Sequence, residues 1–267
     1  MKVSIITINY NNLEGLKQTC QSIQQQTFRD WEWLVIDGGS TEGDRAFIEA
    51  HQDLMAYWCS EKDRGVYNAQ NKGIAHATGD YMIFMNSGDT FYAPTVLEQV
   101  FSQPREADVL YGDWMLQFPD GNEELRQAPR TFSLYFICRD NICHQAMFIK
   151  NALMKQSPYD ESYRLYADWA KWIELALKGC TFQYVPVTVC RFLVGGMSCV
   201  MDDRLWAERT RLDTDAIPPA MMETLHIMDR FTKMHPLALE ADDLIKKKKI
   251  YKKLIHTAIR IIHLLDR

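Results

Sequence analysis

Asp37, Asp63, Asp89 and Asp168 stand where carboxylates can do chemistry in this chain of 267 residues. Asp89 closes the stretch Tyr81-Met82-Ile83-Phe84-Met85-Asn86-Ser87-Gly88-Asp89-Thr90, in which a mostly apolar run passes into a short polar turn. In open α/β sheets, ligands bind in the crevice beyond the carboxyl ends of the strands. Small residues beside Asp89 leave room for a phosphate. Mg²⁺ is commonly held by one or two carboxylates, with water and substrate phosphates completing the octahedron. The same turn could equally serve only its own backbone, as Asn, Gly and Asp often do. Asp37 ends a second apolar run in Asp37-Gly38-Gly39-Ser40-Thr41, and Asp63 lies just beyond a third in Glu61-Lys62-Asp63-Arg64-Gly65. Three acids on one rim predict a polar pocket.

The elements that must carry these acids follow from apolar patterning. Val3 to Ile8, Trp33 to Ile36, Tyr57 to Cys59 and Tyr81 to Met85 read as strands. Between them, helices are predicted from Leu13 (capped by Asn12), over Asp44 to His51, and through Asn71-Lys72-Gly73-Ile74 to Thr78-Gly79. This alternation predicts right-handed βαβ units and a parallel sheet. Past residue 94 the pattern changes. A helix from Thr95 to Phe101, a strand ending at Asp113, a hairpin turning at Pro119-Asp120-Gly121-Asn122, and strands at 182–185 and 189–192 predict mixed or antiparallel pairing and the acceptor side of a cleft. Leu165, Trp169, Trp172, Ile173, Ala176 and Leu177 recur at helical spacing, which places Asp168 in the first turn of a core helix. An acid there can simply complement the helix dipole.

Composition narrows the class. A content of 47% hydrophobic residues supports a full core, and a formal charge of −5 argues against a nucleic-acid binder. Seven scattered cysteines, with no signal-peptide core in Met1-Lys2-Val3-Ser4, lead us to expect a reducing cytoplasm. Cys138, Cys143 and His144 lack a second pair at zinc spacing. No strand is followed by G-x-G-x-x-G or by G-x-x-x-x-G-K-[ST], which argues against a dinucleotide cofactor and against P-loop ATPases. An acidic pocket favours a ligand whose phosphates are neutralised through a metal.

Ile5-Ile6-Thr7-Ile8-Asn9-Tyr10-Asn11, Val35-Ile36-Asp37-Gly38-Gly39-Ser40-Thr41-Glu42, Ser60-Glu61-Lys62-Asp63-Arg64-Gly65, Asn71-Lys72-Gly73 and Asn86-Ser87-Gly88-Asp89 occur in order and at matching spacing. Together they resemble the family 2 glycosyltransferases, closest to the bacterial branch of capsule, colanic-acid and O-antigen synthesis. The resemblance implies the GT-A nucleotide-sugar-binding fold: a mostly parallel central sheet flanked by helices, with added mixed strands and a C-terminal helical extension. It also implies a divalent cation, Mg²⁺ or Mn²⁺, and inversion at the anomeric carbon. By resemblance, Thr7 and Tyr10 line the nucleoside pocket, Asp37 and Asp63 contact the nucleoside, and Asn71, Lys72 and Asn86 join the substrate site. Asp89 matches the last acid of the metal motif, whose usual penultimate acid is replaced by Gly88. Cys143-His144-Gln145 resembles a His-Gln segment before a strand, with His144 near the leaving phosphate or the acceptor. Asp168 matches the second acid, the catalytic base, of a Glu-Asp motif in which Ala167 replaces the Glu. The paired glycines of Val194-Gly195-Gly196-Met197-Ser198 would let backbone approach a phosphate.

The resulting expectation is a metal-dependent inverting glycosyltransferase. It would move a sugar from a nucleotide-diphosphate sugar, preferably UDP-linked, to a glycan or lipid-linked acceptor in cell-surface polysaccharide synthesis. Rival readings are a nucleotidyltransferase that makes nucleotide sugars and an inactive nucleotide-sugar-binding member of a synthesis complex. The catalytic domain is expected over 1–200, divided at 93/94, and a helical extension over 201–243. Residues 244–267 alternate Lys and Arg with Ile and Leu as a basic amphipathic helix. Such a helix suits an anionic membrane surface or its own domain, and the former predicts a peripheral seat on the inner face of the plasma membrane.

Overall fold

The computed structural model describes residues 1–196 and 203–234, together with 253, 254 and 257. Strands β1 (Val3–Asn9), β2 (Trp31–Asp37), β3 (Tyr57–Ser60) and β4 (Tyr81–Phe84) lie parallel in the order β3-β2-β1-β4. β1, β2 and β4 are buried on both faces, so their sequences are near-continuous apolar runs rather than alternating ones. The links between them are helices α1 (Leu13–Gln24), α2 (Asp44–Ala50) and α3 (Val66–His76). The Asn12 side chain accepts from the Gly15 N–H at 3.2 Å, capping α1 as its sequence predicts, and Leu16, Cys20 and Ile23 bury one face of that helix. The predicted parallel half is therefore present, with its elements within a residue or two of their expected bounds.

The second half adds β5 (Thr90–Phe91), α4 (Val96–Phe101), β6 (Val109–Gln117), β7 (Glu123–Arg126), α5 (Leu134–Ile137), β8 (Met147–Lys150), α6 (Asn151–Gln156), α7 (Ala167–Leu177) and β9 (Phe182–Leu193). Among the described residues the sheet is nine-stranded, ordered β3-β2-β1-β4-β8-β6-β9-β5, with β7 paired to β6. β8 runs antiparallel to both β4 and β6, β5 is antiparallel to β9, and β6 and β9 are parallel. The two strands predicted over 182–192 are one. Its register against β6 shifts between Tyr111 and Trp114, opposite Pro186, which has no N–H to give the ladder.

Beyond the sheet lie α8 (Asp203–Ala216) and α9 (Pro219–Met234). The chain divides into two units after Ala216, so α8 belongs with the sheet and the expected boundary at residue 200 is corrected. The reason is specific packing. Leu205 and Leu212 are buried, Arg209 lies 4.3 Å over the Trp169 ring, and the Glu208 carboxylate accepts from the backbone N–H groups of Arg164, Leu165 and Tyr166 ahead of α7. Among the described residues no helix is long and apolar enough to cross a membrane. The expected basic helix over 244–267 lies outside the described residues.

Candidate active site

The turn Asn86-Ser87-Gly88-Asp89 leaves β4 at the open rim of the sheet. Gly88 sits at φ +102°, a conformation that side-chain-bearing residues rarely adopt. Thr19 of α1 stakes the turn: its hydroxyl donates to the Asp89 carbonyl at 2.7 Å and accepts from the Gly88 N–H at 3.0 Å. Asn12 donates to the Ser87 carbonyl at 2.9 Å. The Asp89 side chain is buried, accepting from Gln145 Nε2 at 2.6 Å and from the Leu193 N–H at 3.1 Å. Burial pushes its carboxyl up to about 6, and these two bonds only partly offset the loss of water.

Asp168 lies at the first turn of α7 and is also buried. Its Oδ1 accepts from the Tyr67 hydroxyl at 3.1 Å and from the Trp169 N–H at 2.8 Å, while His144 Nδ1 lies 3.1 Å from Oδ2. His144 Nε2 in turn lies 3.1 Å from Asn86 Nδ2. Burial, followed by the neighbouring Asp168 charge, raises the Tyr67 phenol well above its ordinary value, so that residue stays a proton donor. A hydrogen-bonded chain thus runs Tyr67–Asp168–His144–Asn86 along one wall.

Asp89, Asp168, His144 and Asn86 all line a single cavity of about 800 Å³, within the size range of small-molecule sites. The carboxylates share this space although they lie far apart in sequence. The β6–β7 hairpin and the end of β9 add an apolar lining to the same cavity, with Trp114, Leu116, Pro119 and Phe192. Gly195 and Gly196 of the predicted glycine loop also line the cavity.

A second cluster gathers at the ends of β1, β2 and β3. A Cβ on Gly38 would fall 2.7 Å from Asp63 Oδ2 and 3.2 Å from Tyr10 Cδ2, so Tyr10 and Asp63 flank that glycine's backbone. Tyr10 presents an exposed ring. Asp37 is fully buried and receives hydrogen bonds from Asn9 Nδ2 at 2.7 Å, the Ser40 N–H at 2.9 Å, the Ser60 hydroxyl at 2.6 Å and the Ser40 hydroxyl. Burial raises its carboxyl, but the bonds from Ser40, Ser60 and Asn9 outweigh that and hold it below the usual carboxylate range. Asp37 therefore ties the ends of β1 and β3 and the turn after β2 together, with its carboxylate fully buried.

Several expected contacts are corrected. Thr7 is fully buried, with its hydroxyl taken by Trp33 Nε1 at 2.9 Å, so it belongs to the core. Asn71 clamps the chain ahead of α7, accepting from the Tyr159 N–H and donating to the Tyr159 carbonyl, both at 2.9 Å. Lys72 pairs with Glu61 at 2.7 Å, outside the cavity. Asp113, read from sequence as the end of a strand, lies within β6 and accepts from the Ala128 N–H and the Tyr184 hydroxyl. Tyr67 and the Gln145–Asp89 bond were not foreseen. A buried tyrosine on a helix face looks like core, whereas Gln145 adjoins a histidine already singled out.

The profile of the family described as glycosyl transferase family 2 matches residues 4–159, more than half of the chain. The chain belongs to that family. A family 2 relative, an uncharacterized glycosyltransferase of Mycobacterium tuberculosis, is 35% identical over 202 residues, which cover 73% of this chain and 76% of that protein. Two solved structures share the GT-A fold. One is S. aureus TarS in complex with UDP-GlcNAc, with a TM-score of 0.64, 16% identity, and coverage of 87% of this chain and 73% of that one. This chain spans 44% of a longer solved TarS. The other is the mannosyltransferase PcManGT from Pyrobaculum calidifontis in complex with GDP-Man and Mn²⁺, with a TM-score of 0.60, 18% identity, and coverage of 97% and 79%.

Gly38 offers a test of whether the second cluster holds a nucleotide. Gly38→Val drives a branched side chain against Asp63 Oδ2 and the Tyr10 ring. We expect UDP affinity to fall about tenfold or more, a loss near 1.4 kcal/mol, measured by calorimetry, while the circular dichroism spectrum stays unchanged.

Proposed function

We propose that this family 2 enzyme is a metal-dependent inverting transferase, moving a sugar from a nucleotide-diphosphate sugar to a hydroxyl of a glycan or lipid-linked acceptor. The observation that carries the reading is the common cavity of Asp89 and Asp168. Tyr10 and Asp63 hold the nucleoside over the Gly38 backbone, with Asp37 as their buried support. This directs the diphosphate towards the Asn86–Asp89 turn and leaves Asp168 for the acceptor.

The residues at the turn fit a hard divalent cation. Asp89 is a buried acid whose loss of water outweighs the help of Gln145, the Leu193 N–H and His144, and Asn86 Oδ1 is a carbonyl oxygen with no hydrogen-bond partner. Among the described residues no cluster of three acidic, His or Cys ligands exists, so the diphosphate and water must supply most of the coordination. Mg²⁺ or Mn²⁺ held by Asp89 would supply charge neutralisation for the departing diphosphate. Asp168 takes the proton of the acceptor hydroxyl as that oxygen attacks the anomeric carbon. Attack from the face opposite the leaving group inverts the configuration.

Both UDP and GDP sugars occupy structural relatives, and the sequence resemblance favours UDP. The apolar wall at Trp114, Leu116, Pro119 and Phe192 suits an acceptor sugar carried on an apolar aglycone, in keeping with a lipid-linked substrate. The basic, apolar-alternating sequence over 244–267 supports a seat at an anionic inner membrane face. A thermal-shift screen of UDP-, GDP- and dTDP-sugars with and without Mn²⁺ tests the donor reading. A Mn²⁺-dependent rise in melting temperature with one nucleotide class is expected, and no response to any of them would remove the donor site.

A further inference from the structure

We propose that His144 is a positioning residue that locks the Asp168 carboxylate on one ring nitrogen and the Asn86 amide on the other. The proposal rests on the reading of Asp168 as base. An ionised carboxylate only accepts, so the 3.1 Å contact with Asp168 Oδ2 puts the imidazole proton on Nδ1. In the neutral ring Nε2 is then a lone pair that faces a donor, the Asn86 NH₂ at 3.1 Å. That bond turns the other arm of the amide, Oδ1, away from the ring. Oδ1 is buried without a hydrogen-bond partner in a residue that lines the cavity.

The same geometry limits Asp168. A carboxylate has about four lone-pair sites. Tyr67 and Trp169 occupy both on Oδ1, and His144 occupies one on Oδ2. One site remains, on Oδ2, and an acceptor hydroxyl must come there to lose its proton. Tyr67 and Trp169 therefore leave Oδ2 as the base, and His144 decides from which direction it is reached. Through Asn86 the ring also ties that direction to the donor-side turn.

Two substitutions separate the ring's arms. His144→Asn keeps an N–H donor at the position of Nδ1, whereas His144→Gln keeps a polar group only at the position of Nε2. UDP release from UDP-N-acetylglucosamine with Mn²⁺ is the kinetic readout. H144Q should lower kcat about hundredfold with the donor KM within about threefold, while H144N should recover to within about tenfold of wild type. Equal activity of the two variants overturns the assignment to Nδ1. Loss in D168N with wild-type turnover in H144Q overturns the role of His144 alone, whereas wild-type turnover in D168N overturns the base reading beneath it.

The tautomer decides the geometry whether or not that donor is turned over. In long-range ¹H–¹⁵N spectra of the full chain labelled at its seven histidines, the resonance lost in H144Q should report Nδ1–H at neutral pH, and D168N should abolish that preference. An Nε2–H tautomer or an imidazolium at this residue in the wild type overturns the proposal.

Discussion

Asp168→Asn is expected to abolish sugar transfer, lowering kcat by about 10²- to 10⁴-fold, the range that a positioned general base supplies. Nucleotide binding measured by calorimetry with Mn²⁺ should stay within about threefold of wild type, a difference below 1 kcal/mol. The split follows from where Asp168 sits. It lies on α7, and its partners are Tyr67, Trp169 and His144 rather than any residue of the β4 turn. The substitution is also gentle to the fold. An asparagine carbonyl can keep the bonds from Tyr67 and the Trp169 N–H, and its amide faces His144, which can answer by changing tautomer. A melting temperature near wild type with transfer lost would assign the loss to chemistry. Transfer at the wild-type rate would sink the assignment of the base.

The parallel half was legible because each of its strands is short, apolar and followed by a helix with its own signals, such as Asn12 at the start of α1. The turn at Asn86–Asp89 could likewise be read, since its glycine and acid stand directly behind a buried strand. Spacing along the chain does not say which side chains end up free. Thr7 and Asn71 fit a family pattern, yet one is spent on Trp33 and the other on the backbone of Tyr159. The contact that sets Asp168 joins it to Tyr67, 101 residues earlier, and periodicity within either helix is silent about such a pairing. Strands expected at 182–185 and 189–192 are one strand that runs through Pro186. A parallel neighbour on one side and an irregular register allowed a single strand to continue through it.

Asp89→Asn carries the other large expectation, in which binding and stability move in opposite directions. Asp89 is buried with its carboxyl pushed up to about 6, against an ordinary value of 3.8. Because its pKa is raised on folding, the native state holds the proton more tightly than the unfolded chain between about pH 4 and 6. Stability therefore falls as pH rises through that window, and the cost persists in full above it. At pH 8 the neutral Asn removes that cost, and the variant should melt at or above the temperature of the metal-free wild type. Asn Oδ1 can still accept from one of the two donors now facing Asp89, Gln145 Nε2 or the Leu193 N–H. Cation-assisted nucleotide binding should meanwhile fall about hundredfold, some 2.7 kcal/mol, because the only acid on the turn is gone. In the wild type, Mn²⁺-dependent UDP affinity should weaken as pH drops through about 6, since the proton competes with the cation for Asp89. Saturating Mn²⁺ should move that midpoint lower. A D89N variant that binds UDP and Mn²⁺ as wild type does, with the same pH profile, would place the cation elsewhere.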